Sequence, residues 1–147
     1  MLHVAVLIND PGKSFLSTLV QLFTKSVASH VELVFSDGIA TIVTPKEVAL
    51  DKRPYDYDLY HWVMIPLPDI TPAQEYIIRT KAREIFYSKP KYDYLGAVSG
   101  FFGSSRQNKH KWYCGELVAE LLGDYIPELK ELKWATPEHV WRVLTKN

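Results

Sequence analysis

The sequence predicts a single domain of mixed α and β structure. Three observations lead there. Short, β-branched apolar runs bounded by turn residues fill the first half of the chain. Capped or periodic helical patterns fill the second half. The 147 residues, 47% of them hydrophobic, suffice for one core and are too few for two domains of ordinary size.

The first run, His3 to Ile8, is a buried strand ended by Asn9-Asp10-Pro11-Gly12. Ser14 then caps an amphipathic helix carrying Phe15, Leu16, Leu19, Val20, Leu22 and Phe23. Ser29 to Phe35 is a second strand, Ser36-Asp37-Gly38 a tight turn, and Ile39 to Val43 the returning strand. Residues 45–54 are expected to be irregular or briefly helical. Tyr57 to Ile65 alternates as a further strand that Pro66 and Pro68 end, with His61 at its middle.

Thr71-Pro72-Ala73-Gln74 opens a helix with a cap, a first-turn proline and a capping box. That helix runs to about Tyr87 and offers Tyr76, Ile77, Ala82, Ile85 and Phe86 to the core. A polar loop, Gly103 to Lys111, carries Arg106, Lys109, His110 and Lys111. After Cys114, Leu117, Val118, Leu121 and Leu122 fall on one helical face, and Gly123 follows as the C′ residue. Thr136-Pro137-Glu138 begins a last helix that buries Val140, Trp141 and Leu144.

Composition bounds the function. Basic and acidic residues number 17 each, so the formal net charge is zero and a general nucleic-acid binder is disfavoured. One cysteine cannot make an internal disulfide. No apolar run is long enough to span a bilayer. The chain enters its first strand without a basic lead-in or cleavage site, so no signal peptide and synthesis in the cytoplasm are expected. A target in the cell envelope would need other delivery, such as viral lysis or injection machinery.

The candidate chemistry centres on Cys114. A thiol in the first turn of a helix feels the positive end of the dipole and unpaired amides, which favour the thiolate nucleophile. The same amides can hold an oxyanion. The bland alternative is a small buried hydrophobe. A nucleophile needs a base within hydrogen-bond reach. His30 leads, because a strand is a rigid mount and Glu32 shares its face about 7 Å away at Cα. The competing reading of that face is solvent exposure. His61 is second, as a base or as a satisfied core histidine. His3 is expected to be structural, His139 a surface residue, and His110 part of the polar loop. That loop is expected to be a solvated surface. Its alternatives are an anion-steering rim or a peripheral contact with anionic lipid or a partner protein. Zinc is a poor match for one cysteine and scattered histidines, so no metal and no cofactor are expected.

Ser29-His30-Val31-Glu32-Leu33-Val34-Phe35-Ser36-Asp37-Gly38, Tyr92-Asp93-Tyr94-Leu95-Gly96, Tyr113-Cys114-Gly115-Glu116-Leu117-Val118 and Thr136-Pro137 occur in that order. Together they resemble the circularly permuted NlpC-type papain-like cysteine hydrolases. That branch includes YiiX-like proteins and the lecithin:retinol acyltransferase relatives. The resemblance covers the chain from about Ser29 to its end. It implies an α+β papain-like fold with a small antiparallel sheet packed against helices. It also implies Cys114 as nucleophile, His30 as base and Tyr92 as an oxyanion ligand, with Tyr113 beside the substrate. The implied substrates are cell-wall peptides or lipid acyl groups. The chain departs from the pattern twice. Gly115 stands where many members have serine, and Ile42 where many have a third polar residue. Glu32 is then the expected orienter of His30, with Thr41, Thr44 and His61 as alternatives. The expected function is a thiol hydrolase or acyltransferase. A catalytically silent binding domain on the same fold is the alternative.

Overall fold

A computed structural model describes residues 1–8, 28–52, 61–93, 111–133 and 135–146. These form a mixed α and β structure with one five-stranded antiparallel sheet and four helices. The strands are β1 (His3–Ile8), β2 (Ala28–Val34), β3 (Ile39–Val43), β4 (Val48–Lys52) and β5 (Trp62–Pro66), in the order β4-β3-β2-β1-β5. Helix α1 spans Pro72–Tyr87. Two short parallel strands, β6 (Lys91–Tyr92) and β7 (Lys111–Trp112), lead into α2 (Cys114–Leu122). Helices α3 (Pro127–Lys130) and α4 (Pro137–Thr145) complete the order. The expected helix from Ser14, residues 57–60, Tyr94 to Gly96 and the polar loop through His110 lie outside the described residues, as does the side chain of Lys111.

Alternation along β2 divides its side chains between two clusters. Val31, Leu33 and Phe35 join the main core with Val4, Val6, Leu117, Val118, Leu121 and Val140. Val34 joins a smaller cluster with Ala5, Ala40 and Ile42, on the face that also carries His30 and Glu32. That face is no solvent face: Glu32 is 0% exposed. Gly38 takes φ +83 in the turn between β2 and β3, the left-handed conformation that glycine adopts without steric cost.

The sequence expectation fails at several places, each for a visible reason. Residues 48–52 form a strand rather than an irregular segment. Val43 pairs with Val48 and Ile39 with Lys52, because Thr44 and Glu47 close a turn through their backbones and the Thr44 hydroxyl. Strand β5 begins only at Trp62, since His61 sits at φ +53 in a turn and is exposed. On α1, Ile78 and Ala82 face the core, and Ile85 and Phe86 pack against it. Tyr76 and Ile77 lie on the outer side, 68% and 57% exposed. Gly123 ends α2 in a right-handed conformation, φ −61 and ψ −24. Its lack of a side chain admits Lys130, whose Cβ would lie 3.1 Å from an added Cβ.

The start of α1 agrees with its sequence signals. The Thr71 hydroxyl accepts from Gln74 N–H, and the Gln74 side chain accepts from Thr71 N–H at 2.8 Å. Thr136 caps α4 in the same manner through His139 N–H.

Candidate active site

Strand β2 is an interior strand of the sheet, yet along most of its length it is not paired to β3. The two meet in register only at Val34 and Ala40. The N–H groups of β2 that face away from β1 find other acceptors. Phe35 N–H donates to Ile39 O at 2.8 Å, the last ladder-like bond. Leu33 N–H donates to the Thr41 hydroxyl at 3.0 Å, in a fully buried setting. Val31 N–H donates to the Cys114 sulfur. Ala28 N–H reaches the Glu138 carboxylate at 3.4 Å. The strand thus opens from β3 toward its own start, and the first turn of α2 occupies the gap.

A bulge accompanies this opening. Leu7 pairs with His30 and Ile8 with Ala28, so Ser29 is the extra residue. Its hydroxyl donates to Leu7 O at 3.4 Å. Bulges bend a strand and re-aim the neighbouring side chains. Here the neighbour is His30. Its Nε2 lies 3.0 Å from Oε1 of Glu32, two residues on along the same face. A carboxylate only accepts, so Nε2 carries the proton in this pair. The same ring also acts on the Cys114 thiol, by its charge and by hydrogen bonding. The ring therefore connects the carboxylate to the sulfur. Against its other side, Trp62 packs edge to face, with centroids 5.9 Å apart and planes at 77°.

The sulfur is held where helix and strand meet. Cys114 is 8% exposed and belongs to the main core cluster. Burial pushes its thiol up, and this is the largest single influence. The charge of His30, the hydrogen bond from His30 and the amides of Val31 and Gly115 act the other way. Together they carry the thiol below its ordinary range. The first intrahelical bond of α2 runs from Leu117 N–H to Tyr113 O, so the Cys114 amide precedes the helical ladder.

Gly115 is required by packing. A Cβ there would lie 1.8 Å from the Ala135 carbonyl oxygen and 2.9 Å from its carbon. The start of α2 rests directly on residues 135 and 136, just before the Thr136 cap of α4. No side chain, serine included, fits at 115 without moving one of these segments.

Tyr92 lies on β6 beside Trp112 on β7, two positions before Cys114, and is half-buried against the core. Tyr113 is 8% exposed and caps α2 with extended backbone, φ −116 and ψ 164, but no side-chain cap bond. Ile42 is buried in the smaller cluster and cannot orient an imidazole. The Thr41 hydroxyl accepts from Leu33 N–H, and that of Thr44 both donates and accepts within its own turn, while the contact with His30 Nε2 is made by Glu32. His61 is exposed in a turn, which removes it as a mid-strand base, a core histidine or an orienter. His139 is half-buried, with Nδ1 3.0 Å from the Thr136 hydroxyl, rather than a surface residue. Nothing in the sequence singled out Trp62, whose place beside His30 depends on the pairing of β1 with both β2 and β5.

A groove of about 750 Å³ lies elsewhere, among Pro68, Ile70, Tyr125, Ile126 and Leu144. Cys114, His30, Glu32 and Trp62 do not line it. Among the described residues, no group of three or more His, Cys, Asp or Glu could hold a metal ion. None of their helices is long and apolar enough to cross a membrane.

No family model matches the chain, and neither a curated protein nor a solved structure shows significant similarity to it.

Proposed function

We propose that the protein is a cysteine-dependent hydrolase or acyltransferase of the permuted NlpC-type, papain-like class. The observation that carries this reading is the single imidazole of His30 set between a buried carboxylate and the Cys114 sulfur. In this reading His30 takes the thiol proton, and Glu32 fixes the ring and offsets the charge it gains. The thiolate attacks the carbonyl carbon of an amide, ester or thioester. The Cys114 amide, with Tyr92, receives the oxyanion. His30 returns the proton to the leaving group as the tetrahedral intermediate collapses to a thioester on Cys114. Water or a second acceptor then releases the acyl group and restores the thiol. Tyr113 borders the substrate. The resemblance adds cell-wall peptides and lipid acyl groups as substrate classes, reached by peripheral contact with an envelope or membrane in either case.

The silent-domain alternative drew on Ile42 and Gly115. Both have accounts that leave the site intact: Glu32 serves in place of a residue at 42, and Ala135 demands glycine at 115. The test is covalent capture. An activated acyl ester should leave an acyl group on Cys114, seen by mass spectrometry of the intact protein. His30→Ala should abolish capture, and so should His30→Gln, which keeps a donor for the buried Glu32 and separates loss of the base from loss of the fold. Capture at the rate of a free thiol, indifferent to His30, would leave the silent domain as the correct reading.

A further inference from the structure

We propose that Trp62 is a positioning residue of this site, its indole holding the His30 ring at the angle at which Nε2 meets Glu32 and the imidazole serves Cys114. The inference rests on the catalytic reading above. One hydrogen bond, Nε2 to Glu32, fixes a point on the imidazole but leaves the ring free to swing about it. An aromatic partner across the ring removes that freedom, because edge-to-face contact is directional. Trp62 supplies it at 5.9 Å and 77°. The register explains how it reaches. Leu7 on β1 pairs with His30 on one side and with Trp62 on the other, so both rings stand over the same position of the sheet.

The mount of Trp62 is itself constrained. The residue before it, His61, is held at φ +53, uncommon for a residue with a side chain. The carbonyl of His61 accepts from Ile8 N–H at 3.0 Å, tying the start of β5 to β1. Trp62 also packs against the cluster of Ala5, Val34, Ala40 and Ile42. Its ring is thus anchored below and presents one border to His30, whose side chain remains 15% exposed.

The pH dependence of Cys114 alkylation by iodoacetamide tests this in the intact chain. Trp62→Leu and Trp62→Met both fill volume without an aromatic ring, so failure of one to fold leaves the other. Each should raise the pH midpoint by about one unit, a tenfold loss of thiolate below the midpoint. Trp62→Phe should restore it to within a few tenths. Unchanged midpoints in Trp62→Leu and Trp62→Met, while His30→Ala shifts its own, would overturn this proposal alone. So would a shift that Trp62→Phe fails to rescue, which would mark Trp62 as packing only. A midpoint indifferent to His30→Ala would overturn the catalytic reading, and the role of Trp62 with it.

Discussion

Nε2 of His30 lies 3.0 Å from Oε1 of Glu32, and the two residues are alternate positions on one strand, facing the same side. A buried carboxylate is costly unless it is paired and hydrogen-bonded. Glu32 is 0% exposed and has that partner in His30. The same pair gives the imidazole its tautomer and its aim.

Glu32→Gln should therefore separate orientation from folding. Glutamine keeps the volume and can accept one hydrogen bond, but it removes the charge that favours the imidazolium. We expect a cooperative thermal transition and a loss of Cys114 acylation of at least about tenfold, the consequence of one unit in the thiol midpoint. Stopped-flow acylation beside calorimetry measures both.

Thr41→Val should do the reverse. It is nearly isosteric and removes the acceptor for Leu33 N–H, which is buried. An orphaned buried donor costs about 1–3 kcal/mol. Urea denaturation should show that loss, while the alkylation midpoint of Cys114 stays within a few tenths. A large shift in the midpoint would return Thr41 to the list of orienters.

Gly115→Ala should be more damaging than an ordinary glycine replacement in a helix. Alanine is the better helix former, but its Cβ would meet Ala135 O at 1.8 Å. Overpacking of this kind typically costs about 1–3 kcal/mol, and relief requires α2 to move away from residues 135 and 136. Both lower stability and slower acylation are expected, measured in the same urea and stopped-flow experiments. A stabilised Gly115→Ala protein would refute the contact.

Asp37 carries a pH signature remote from the site. Its carboxylate pairs with Arg79, which lies over the Phe35 ring at 5.1 Å. The hydrogen bond from Arg79 holds the Asp37 pKa below its ordinary value. The folded pKa is the lower one, so its contribution is complete above the unfolded value near 3.8 and fades as pH falls through the folded value. The pair is partly exposed, so the effect is less than about 1 kcal/mol. Asp37→Asn should lower the melting temperature slightly at pH 7, and the difference should shrink as the pH falls below the unfolded value near 3.8.

The local signals in the sequence were sufficient for several features decided between near neighbours. The Thr71 and Thr136 caps, the Asp37-Gly38 turn and the α2 periodicity each concern residues within a few positions of one another. The face shared by His30 and Glu32 was legible for the same reason, since alternation along a strand is a local property. What lay beyond reach was long-range pairing. That β3 turns away from β2 beyond Ala40, that Val31 N–H meets a sulfur 83 positions later, and that Trp62 stands across Leu7 from His30 all depend on how separate elements pack. The glycine after Cys114 looked like a departure from a motif. Only the approach of Ala135 gives it a reason. The strand at 48–52 was hidden because none of its residues is fully buried and Asp51 and Lys52 are exposed.

The most direct measurement is the alkylation rate of Cys114 against pH, in the wild-type chain and in His30→Ala. The wild-type midpoint should fall below the free-thiol value of about 8.5. In His30→Ala it should rise above that value, because burial then acts without the imidazole to oppose it. A wild-type midpoint at or above 8.5 that does not respond to His30→Ala would contradict the account.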